Sequence, residues 1–249
     1  MSVSKLLPKN DTSTVCHHDK QISCSNCRLS NLCLPLSLEL DELNQIDDVI
    51  LRDKPLHKGQ YLYENGRPFT SIFAVRSGSV KSTYLSEEGE EQITGFYLPG
   101  EILGMDGLSN NTYVNSAVAL ETSSICEIPF DKLEVLSQAI PSLQRHFFQL
   151  MSREITNDQQ LITLLTKGSS EQRIAALLLS LSSRNKRRQL SNTEFLLPMS
   201  RTDLGNYLGL TIETVSRTFS RLQKSNIIST DRRLVNILKF DQLKSIAAG

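Results

Sequence analysis

The sequence lacks the features of membrane-spanning and secreted proteins. No apolar run in its 249 residues approaches the roughly 20 residues that a helix needs to cross a bilayer. The first 20 residues are polar and lack the apolar core of a signal peptide. Acidic and basic residues balance at 27 each, which argues against a polybasic tail and against a disordered acidic chain. We therefore expect a soluble, cytoplasmic protein.

Histidine is scarce, with four residues at positions 17, 18, 57 and 146. No Ser–His–Asp arrangement and no His/carboxylate ligand set is recognisable around them, which argues against an enzyme. Charge is unevenly distributed, because residues 170–249 hold 13 Lys and Arg against 6 Asp and Glu. A basic C-terminal module beside an acidic remainder indicates that a polyanion binds the C-terminal part.

Glycine is concentrated in one part of the chain. Eight of the 12 glycines fall between Gly59 and Gly107, and short apolar or alternating segments separate them. Short segments punctuated by turn residues predict an all-β roll or barrel. The predicted strands cover 60–63, 71–76, 79–85, 92–97 and 114–119.

A long helix without Gly or Pro after its first residue is predicted from Pro141 to Lys167, and Pro141 suits its first turn. Apolar residues recur along one face at steps of three and four. That face could pack on the β domain of its own chain or pair with its twin across a two-fold axis, and we favour the second. Asp158 interrupts the stripe and would weaken such pairing, so it is either a flaw or a control point. The predicted dimerisation residues are Ile140, Leu143, Phe147, Met151, Ile155, Asp158 and Ile162.

Two short helices joined by a glycine turn are predicted in the basic module. Ser200 and Asp203 match a capping box, the first helix stops at Gly209, and Thr211 caps a second helix, Ile212–Lys224. This pattern is typical of a helix-turn-helix, with strands at 227–230 and 234–238 as a wing. A helix at 171–184 precedes it, followed by the basic run 184–188, to which we assign only non-specific attraction to phosphate.

The second helix of this pair has two distinct faces. Ile212, Val215, Phe219 and Leu222 are expected to form its buried stripe. Arginine can donate two hydrogen bonds to guanine, and glutamate can accept one from cytosine. The expected DNA-reading residues on the opposite side are Glu213, Ser216 and Arg217.

The five cysteines are at positions 16, 24, 27, 33 and 126. Cys24-x2-Cys27-x5-Cys33 supplies three thiolates on a short segment, and thiolates select zinc, copper(I) or iron–sulfur clusters. From the spacing alone, zinc completed by His17 or His18 and a cluster remain equally open. Taken alone, the isolated fifth cysteine is typical of a small buried hydrophobe.

Together these features resemble the oxygen-sensing branch of the cyclic-AMP receptor protein (CRP/FNR) family. The resemblance rests on the N-terminal cysteines with Leu32 beside Cys33, on Cys126 in the segment 121–129, and on Glu213-x-x-Ser216-Arg217. It implies an α+β protein with an N-terminal β-roll (a jelly roll like that of cyclic-nucleotide-binding domains), a long dimerisation helix and a C-terminal winged helix-turn-helix. The corresponding domains are a cysteine-rich segment 1–34, a sensor roll 35–135, a dimerisation helix 136–167 and a DNA-binding domain 168–249.

The resemblance also implies an oxygen-responsive transcription regulator rather than an enzyme. An oxygen-labile [4Fe–4S] cluster would be held by Cys24, Cys27, Cys33 and Cys126, with Cys16 as a spare thiol. With the cluster intact, a homodimer would bind double-stranded DNA at palindromic sites with TTGAT-like half-sites and control genes of anaerobic metabolism. Oxygen would convert the cluster to [2Fe–2S] and leave monomers.

Activation would involve contact with RNA polymerase. An acidic turn on the roll is the candidate surface, although such a hairpin tip is more often simply solvated. The residues proposed for this contact are Leu85, Ser86, Gly89 and Glu90.

Two departures concern the ligand of the roll. Family members that bind cyclic AMP carry a Glu and an Arg where this sequence has Met105 and Asn115. Without the Arg there is no bidentate partner for a cyclic phosphate, and without the Glu nothing accepts from the ribose hydroxyl. Cyclic-nucleotide binding is therefore not expected. A regulator of this fold gated by another ligand or by zinc remains the alternative.

Overall fold

The computed structural model describes residues 23–35 and 38–249. Cys16, His17 and His18 lie outside the described residues, so the sequence-based statements about them remain expectations. The described chain begins with a 3-10 turn at Cys24–Asn26, and a helix α1 (Leu40–Val49) follows before the first strand. Neither element was predicted.

The β-roll consists of two antiparallel sheets. The first has the order β1-β6-β3-β4 and the second β5-β2-β7. The five predicted strands are confirmed to within about two residues at each end, whereas β5 and β7 were missed. The bounds are β1 (Tyr61–Tyr63), β2 (Ser71–Ser77), β3 (Val80–Leu85), β4 (Glu91–Tyr97), β5 (Ile102–Leu103), β6 (Ser116–Ala119) and β7 (Ser124–Pro129).

Two helices follow the roll, α2 (Phe130–Ala139) and α3 (Pro141–Lys167). They are separated at Ile140, whose extended backbone (φ −121°) breaks the helix before the proline. Helix α3 has the predicted bounds. The predicted boundary at residue 136 instead falls inside α2, so the long helix starts five residues later than the proposed dimerisation segment.

The C-terminal domain contains α4 (Ser170–Arg187), α5 (Arg201–Leu208), α6 (Ile212–Lys224) and α7 (Phe240–Ala248). A three-stranded sheet of order β8-β10-β9 forms the wing, with β8 (Glu194–Leu196), β9 (Ile228–Asp231) and β10 (Leu234–Ile237). Strand β10 pairs with β8 on one side and with β9 on the other. The domain is a winged helix-turn-helix. The fold predicted from the sequence is confirmed.

Helix α4 is longer than predicted and includes most of the basic run. Arg184 is not available to phosphate, because it forms an ion pair with Glu101 of the roll and its side chain is only 16% exposed. The prediction that this residue provides non-specific attraction to phosphate was wrong. Arg184, near the C-terminal end of α4, instead joins the DNA-binding domain to the roll.

The roll and the DNA-binding domain share one apolar core. Ile93, Phe96 and Leu98 of the roll belong to the same buried cluster as side chains of α4, α5, α6 and the wing. A second cluster lies on the other side of the roll, where Leu34 and Cys24 of the N-terminal segment pack with α1, α2 and the start of α3. Within the part of the chain that the structure describes, no helix combines the length and apolar character that a membrane crossing requires.

Candidate functional site

The four cysteines of the predicted cluster lie on one side of the roll. Cys24 opens the 3-10 turn, and Cys27 and Cys33 follow in the turns after it. Cys126 lies in β7 opposite Ala74 of β2. Cys24 is buried in the apolar cluster against which Cys33 and Cys126 also pack. The structure thus brings together residues that are about a hundred positions apart in the sequence.

The thiols influence one another's protonation. Burial raises the pKa of Cys33 to about 12, and the neighbouring Cys126 and Cys27 add to that rise. Burial likewise raises the pKa of Cys24 and of Cys126. The raised pKa values keep these three thiols protonated at neutral pH, so binding iron or zinc would release protons.

The thiols of Cys24, Cys27, Cys33 and Cys126 are donors that suit either an iron–sulfur cluster or a zinc ion. Among residues 23–35 and 38–249, no three His, Cys, Asp or Glu side chains lie close enough to hold one metal ion. A structural zinc site requires four ligands around one atom. In a four-iron cluster each cysteine binds a different iron, so the sulfurs stand farther apart.

The cysteine segment is joined directly to α3. The Nε2 of His146 on α3 lies 3.2 Å from the carbonyl oxygen of Cys33, and His146 is buried. Leu34, the next residue, is buried in the same cluster as Leu143 and Phe147 of α3. A change in the conformation of the cysteine segment therefore acts on the first turns of the long helix.

Sequence analysis missed two charged residues beside the cysteines. The Nη2 of Arg52 lies 3.7 Å from the Sγ of Cys24 and donates to the carboxylate of Asp47. The Oδ1 of Asp47 also accepts from the backbone N–H of Cys24 at 2.8 Å. No local pattern marks these residues, because the contacts span 23 to 28 positions of the chain.

The first part of the predicted dimerisation stripe lies inside its own subunit. Ile140, Leu143 and Phe147 are buried in the cluster formed with α1, α2 and the cysteine segment. Assigning these three to a dimer seam was wrong, because their apolar surface is already removed from water within the monomer. The alternative interpretation of the sequence, packing on the chain's own roll, applies to this half of the helix.

The second part of the stripe is exposed. Ile155 is 56% and Ile162 60% exposed, and Met151 is half-buried at the boundary. Phe148, which the sequence analysis did not include, is 60% exposed. Large apolar side chains exposed on one long helix are the expected form of an interface that is completed by another chain.

Asp158 lies on α3 between these exposed isoleucines, next to Glu154 one turn earlier. The hydroxyl of Tyr97 in the roll donates to Glu154 at 3.2 Å. Burial raises the pKa of Glu154, and the charge of Asp158 raises it further. Partial burial also raises the pKa of Asp158. Two carboxylates therefore already lie close together on one subunit.

Asn115, where the resemblance expects the arginine of cyclic-AMP-binding members, is bonded to an aspartate beside a small cavity. Asp106 accepts hydrogen bonds from the backbone and side-chain nitrogens of Asn115, both at 2.9 Å. A cavity of about 260 Å³ beside this pair is lined also by Met105, Glu154 and Asp158. Its charged lining is acidic, which is unfavourable for an anionic ligand.

The helix-turn-helix has the geometry that the sequence predicts. Ser200 accepts from the N–H of Asp203 at 3.0 Å, and Thr211 accepts from that of Thr214 at 3.2 Å. Gly209 ends α5 in the left-handed region (φ +62°). A Cβ on Gly205 would stand 2.6 Å from the carbonyl oxygen of Leu210, so the tight turn between the helices requires glycine there.

Helix α6 presents its predicted reading face to solvent. Glu213, Ser216 and Arg217 are all exposed on its first two turns. The N–H of Glu213 itself, and then the Thr211 hydroxyl, lower the pKa of the Glu213 carboxyl, so it is ionised and can accept from a base.

The opposite face of α6 is largely as predicted. Val215, Phe219 and Leu222 are buried. Ile212 is 44% exposed and the prediction for it was wrong, since the first residue of the helix projects beyond the core. Thr218, which the prediction did not include, is fully buried.

The acidic turn between β3 and β4 is exposed. Leu85 is 54% exposed and Glu90 is exposed at the tip. The N–H of Ser86 donates to the carbonyl of Glu90, and the N–H of Gly89 donates to the carbonyl of Ser86. The turn is thus a closed hairpin that presents an apolar side chain beside carboxylates. This leaves Leu85, Ser86, Gly89 and Glu90 available to a partner.

Comparison with known proteins finds a matching domain family for each half of the chain. A Crp-like helix-turn-helix domain matches residues 172–246, and a cyclic nucleotide-binding domain matches residues 53–139. The chain is 48% identical over 229 residues to the transcriptional activator protein anr of Pseudomonas aeruginosa, covering 92% of this chain and 94% of that protein. It is 47% identical over 226 residues to the fumarate and nitrate reduction regulatory protein of Yersinia pestis, covering 91% and 90%. It is similar in structure to FixK2 from Bradyrhizobium japonicum, with a TM-score of 0.74 and 27% identity over 81% of this chain and 98% of that one.

Proposed function

The chain belongs to the CRP/FNR family of transcription regulators, not to a family of enzymes, and we propose that it senses oxygen through a [4Fe–4S] cluster held by Cys24, Cys27, Cys33 and Cys126. It acts in the cytoplasm as an activator of anaerobic metabolism genes. The observation that carries this proposal is the position of four thiols on one side of the roll, with Cys24, Cys33 and Cys126 in or against one buried cluster.

A cluster held by Cys24, Cys27, Cys33 and Cys126 would tie the N-terminal segment to β7, and this tie would be lost in oxygen. The chain's own residues transmit that tie to the long helix. Cys33 is held to His146 through its carbonyl, and Leu34 packs with Leu143. A cysteine segment anchored to β7 would fix the start of α3 and so favour the homodimer. After exposure to oxygen the anchor would be lost, and the subunits would separate.

The dimer interface comprises the exposed half of α3. Met151, Ile155 and Ile162 lie there, and Phe148 extends the apolar surface. Two DNA-binding domains held together gain affinity sharply, because the second contact becomes intramolecular. Glu213, Ser216 and Arg217 then read palindromic DNA with TTGAT-like half-sites. The turn at Leu85, Ser86, Gly89 and Glu90 contacts RNA polymerase.

The acidic cavity of the roll supports gating by a cluster rather than by a cyclic nucleotide. Asp106 takes the hydrogen-bond donors of Asn115 that could otherwise face a phosphate. Calorimetry with cyclic AMP should give no heat of binding. Saturable binding would favour a ligand-gated regulator of the same fold.

Anaerobic purification followed by iron, zinc and acid-labile sulfide analysis tests the proposal. We expect about four iron and four sulfide per subunit, which is the composition of this cluster. Stoichiometric zinc without sulfide would show the zinc alternative instead. Sedimentation before and after exposure to air should show a dimer converting to a monomer, and an unchanged dimer would contradict the oxygen-dependent assembly.

A further inference from the structure

Arg52 lies between two of the cysteines that the proposed function assigns to the cluster. Its Nη2 is 3.7 Å from the Sγ of Cys24. Arg52 also opposes the rise that burial causes in the pKa of the Cys126 thiol. Cys24 is in the N-terminal segment and Cys126 is in β7, so the guanidinium adjoins both parts of the chain that the cluster would join.

The structure fixes this guanidinium in place from two sides. Leu51, the residue before it, exchanges backbone hydrogen bonds with Glu127, the residue after Cys126, at 2.8 and 2.9 Å. Asp47 on α1 accepts from Nη2 of Arg52 and from the backbone N–H of Cys24. Both Asp47 and Arg52 are partly buried, with side chains 24% and 20% exposed. The position is therefore held by the backbone pairing of Leu51 with Glu127 and by a partly buried carboxylate.

One N–H donor of Arg52 lacks a hydrogen-bond acceptor among the described residues. Its Nε is buried and has no hydrogen-bond partner in the described ranges 23–35 and 38–249. Buried N–H groups are almost always paired, so an unpaired one next to two ligand residues indicates an acceptor that is added when the site is loaded. Thiolate and sulfide sulfurs are such acceptors, and arginine stays charged in any accessible pH range.

We propose that Arg52 is a positioning residue for the cluster, which holds Cys24 and Cys126 on the iron by donating hydrogen bonds to sulfur and by offsetting the negative charge of the thiolates. Asp47 orients Arg52 and ties it to the backbone of Cys24. The inference rests on the proposed function, because it concerns the same site. It assigns a role to two residues that are not ligands.

The test is the rate at which the anaerobically loaded protein loses its iron to an excess of a ferrous chelator, followed by loss of the visible absorbance. This is ligand exchange without oxidation, so it isolates the hold of the cysteines from the reaction with oxygen. Removing a partner of metal ligands weakens metal binding about 10-fold to 100-fold, and we expect Arg52→Gln to accelerate the loss by a factor in that range. Arg52→Lys keeps the charge but not the planar fork, and should fall between Arg52→Gln and wild type.

Arg76→Gln is the matched control. Arg76 is also half-buried and its charge also acts on Cys126, so the variant removes the same charge from the same neighbourhood. Its rate should stay within about twofold of wild type, well below the change expected for a direct partner. Equal acceleration in Arg76→Gln and Arg52→Gln would overturn the proposal, because charge alone would then explain the effect.

The outcomes also separate this inference from the proposed function. If wild type carries no iron and sulfide, the proposed function fails, and the role of Arg52 fails with it. If wild type carries the cluster and Arg52→Gln releases iron at the wild-type rate, only the role of Arg52 fails. If Arg52→Gln cannot be loaded, thermal unfolding of the metal-free variant and the rate of Arg52→Lys decide: an intact fold with accelerated loss supports the proposal, and a wild-type rate in Arg52→Lys overturns it.

Discussion

Arg184 of α4 forms a bidentate ion pair with Glu101 of the roll, with Nε of Arg184 2.7 Å from Oε1 of Glu101. The same guanidinium donates to the backbone carbonyl of Phe96. The pair thus joins the sensor roll to the DNA-binding domain at the edge of their shared apolar core. Burial alone would lower the pKa of Arg184, but the charge of Glu101 raises it.

Removing Arg184 should weaken this contact between the domains. Arg184→Ala leaves the Glu101 carboxylate without its partner in a partly buried position, and breaking a buried pair costs about 3–5 kcal/mol. Because the two side chains are 16% and 24% exposed, we expect a smaller loss of about 2 kcal/mol in the free energy of unfolding.

Urea unfolding measures this loss. Arg187→Ala is the control, since Arg187 is 54% exposed and 4.0 Å from Glu101. It should change the free energy of unfolding by less than about 0.5 kcal/mol. Losses of equal size in the two variants would mean that the ion pair does not contribute as the geometry indicates.

Cys24, Cys27, Cys33 and Cys126 should each be necessary for the cluster. Replacing one by serine leaves an iron with an open position that solvent can reach. Each Cys→Ser variant should therefore be colourless after anaerobic purification and fail to activate transcription. Cys16→Ser is the control and should retain both properties. Loss of iron in Cys16→Ser, with retention in Cys126→Ser, would show that the assignment of ligands is wrong.

Local signals in the sequence predicted helix α6 correctly, whereas contacts between distant parts of the chain were not predictable. Helix α6 has the predicted bounds because Thr211 caps it and Gly209 ends the helix before it. Strand β7 (Ser124–Pro129) was missed, because its pairing partner β2 lies about 50 residues earlier in the chain. Arg52 was missed for the same reason, since nothing near it in the sequence marks its contact with Cys24.

The long helix shows a different limit of sequence reasoning. Its apolar stripe is continuous in the sequence, yet Leu143 is fully buried in its own subunit and Ile162 is 60% exposed. Periodicity identifies the face of a helix that avoids water but not the chain that covers it. Only the packing of the cysteine segment and α1 onto the first turns of α3 separates the two parts.

Arg217 should specify DNA sequence rather than supply general affinity. It is exposed on the first two turns of α6, and a bidentate arginine–guanine pair gives about 1–3 kcal/mol of discrimination. Arg217→Ala should weaken binding to the palindromic site by about 1–3 kcal/mol while barely changing binding to random DNA.

Fluorescence anisotropy with the two DNAs at one salt concentration measures the difference. Arg221→Ala is the matched control on the same helix, because Arg221 is engaged in an ion pair with Glu171 at 3.0 Å. It should leave the ratio of the two affinities unchanged. Equal losses of Arg217→Ala on both DNAs would mean that Arg217 contacts phosphate.

Asp158 should make dimerisation conditional on the cluster. It lies between the exposed Ile155 and Ile162, so close pairing of two α3 helices brings two like charges together across the two-fold axis. Desolvation and repulsion then act in the same direction, and Glu154 one turn away adds a further carboxylate. A penalty of a few kcal/mol is enough to move a two-state equilibrium from mostly dimer to mostly monomer.

Asp158→Ala removes that repulsion and adds a good helix former to the interface. We expect this variant to dimerise and bind DNA in air without any cluster. Asn157→Ala, a neutral and exposed neighbour on the same helix, should remain monomeric in air like wild type. Sedimentation of the aerobic, metal-free proteins decides between them. If Asp158→Ala is monomeric and indistinguishable from wild type, this carboxylate does not control dimerisation. The apolar face of α3 would then be insufficient for pairing without the cluster, even after the charge at position 158 is removed.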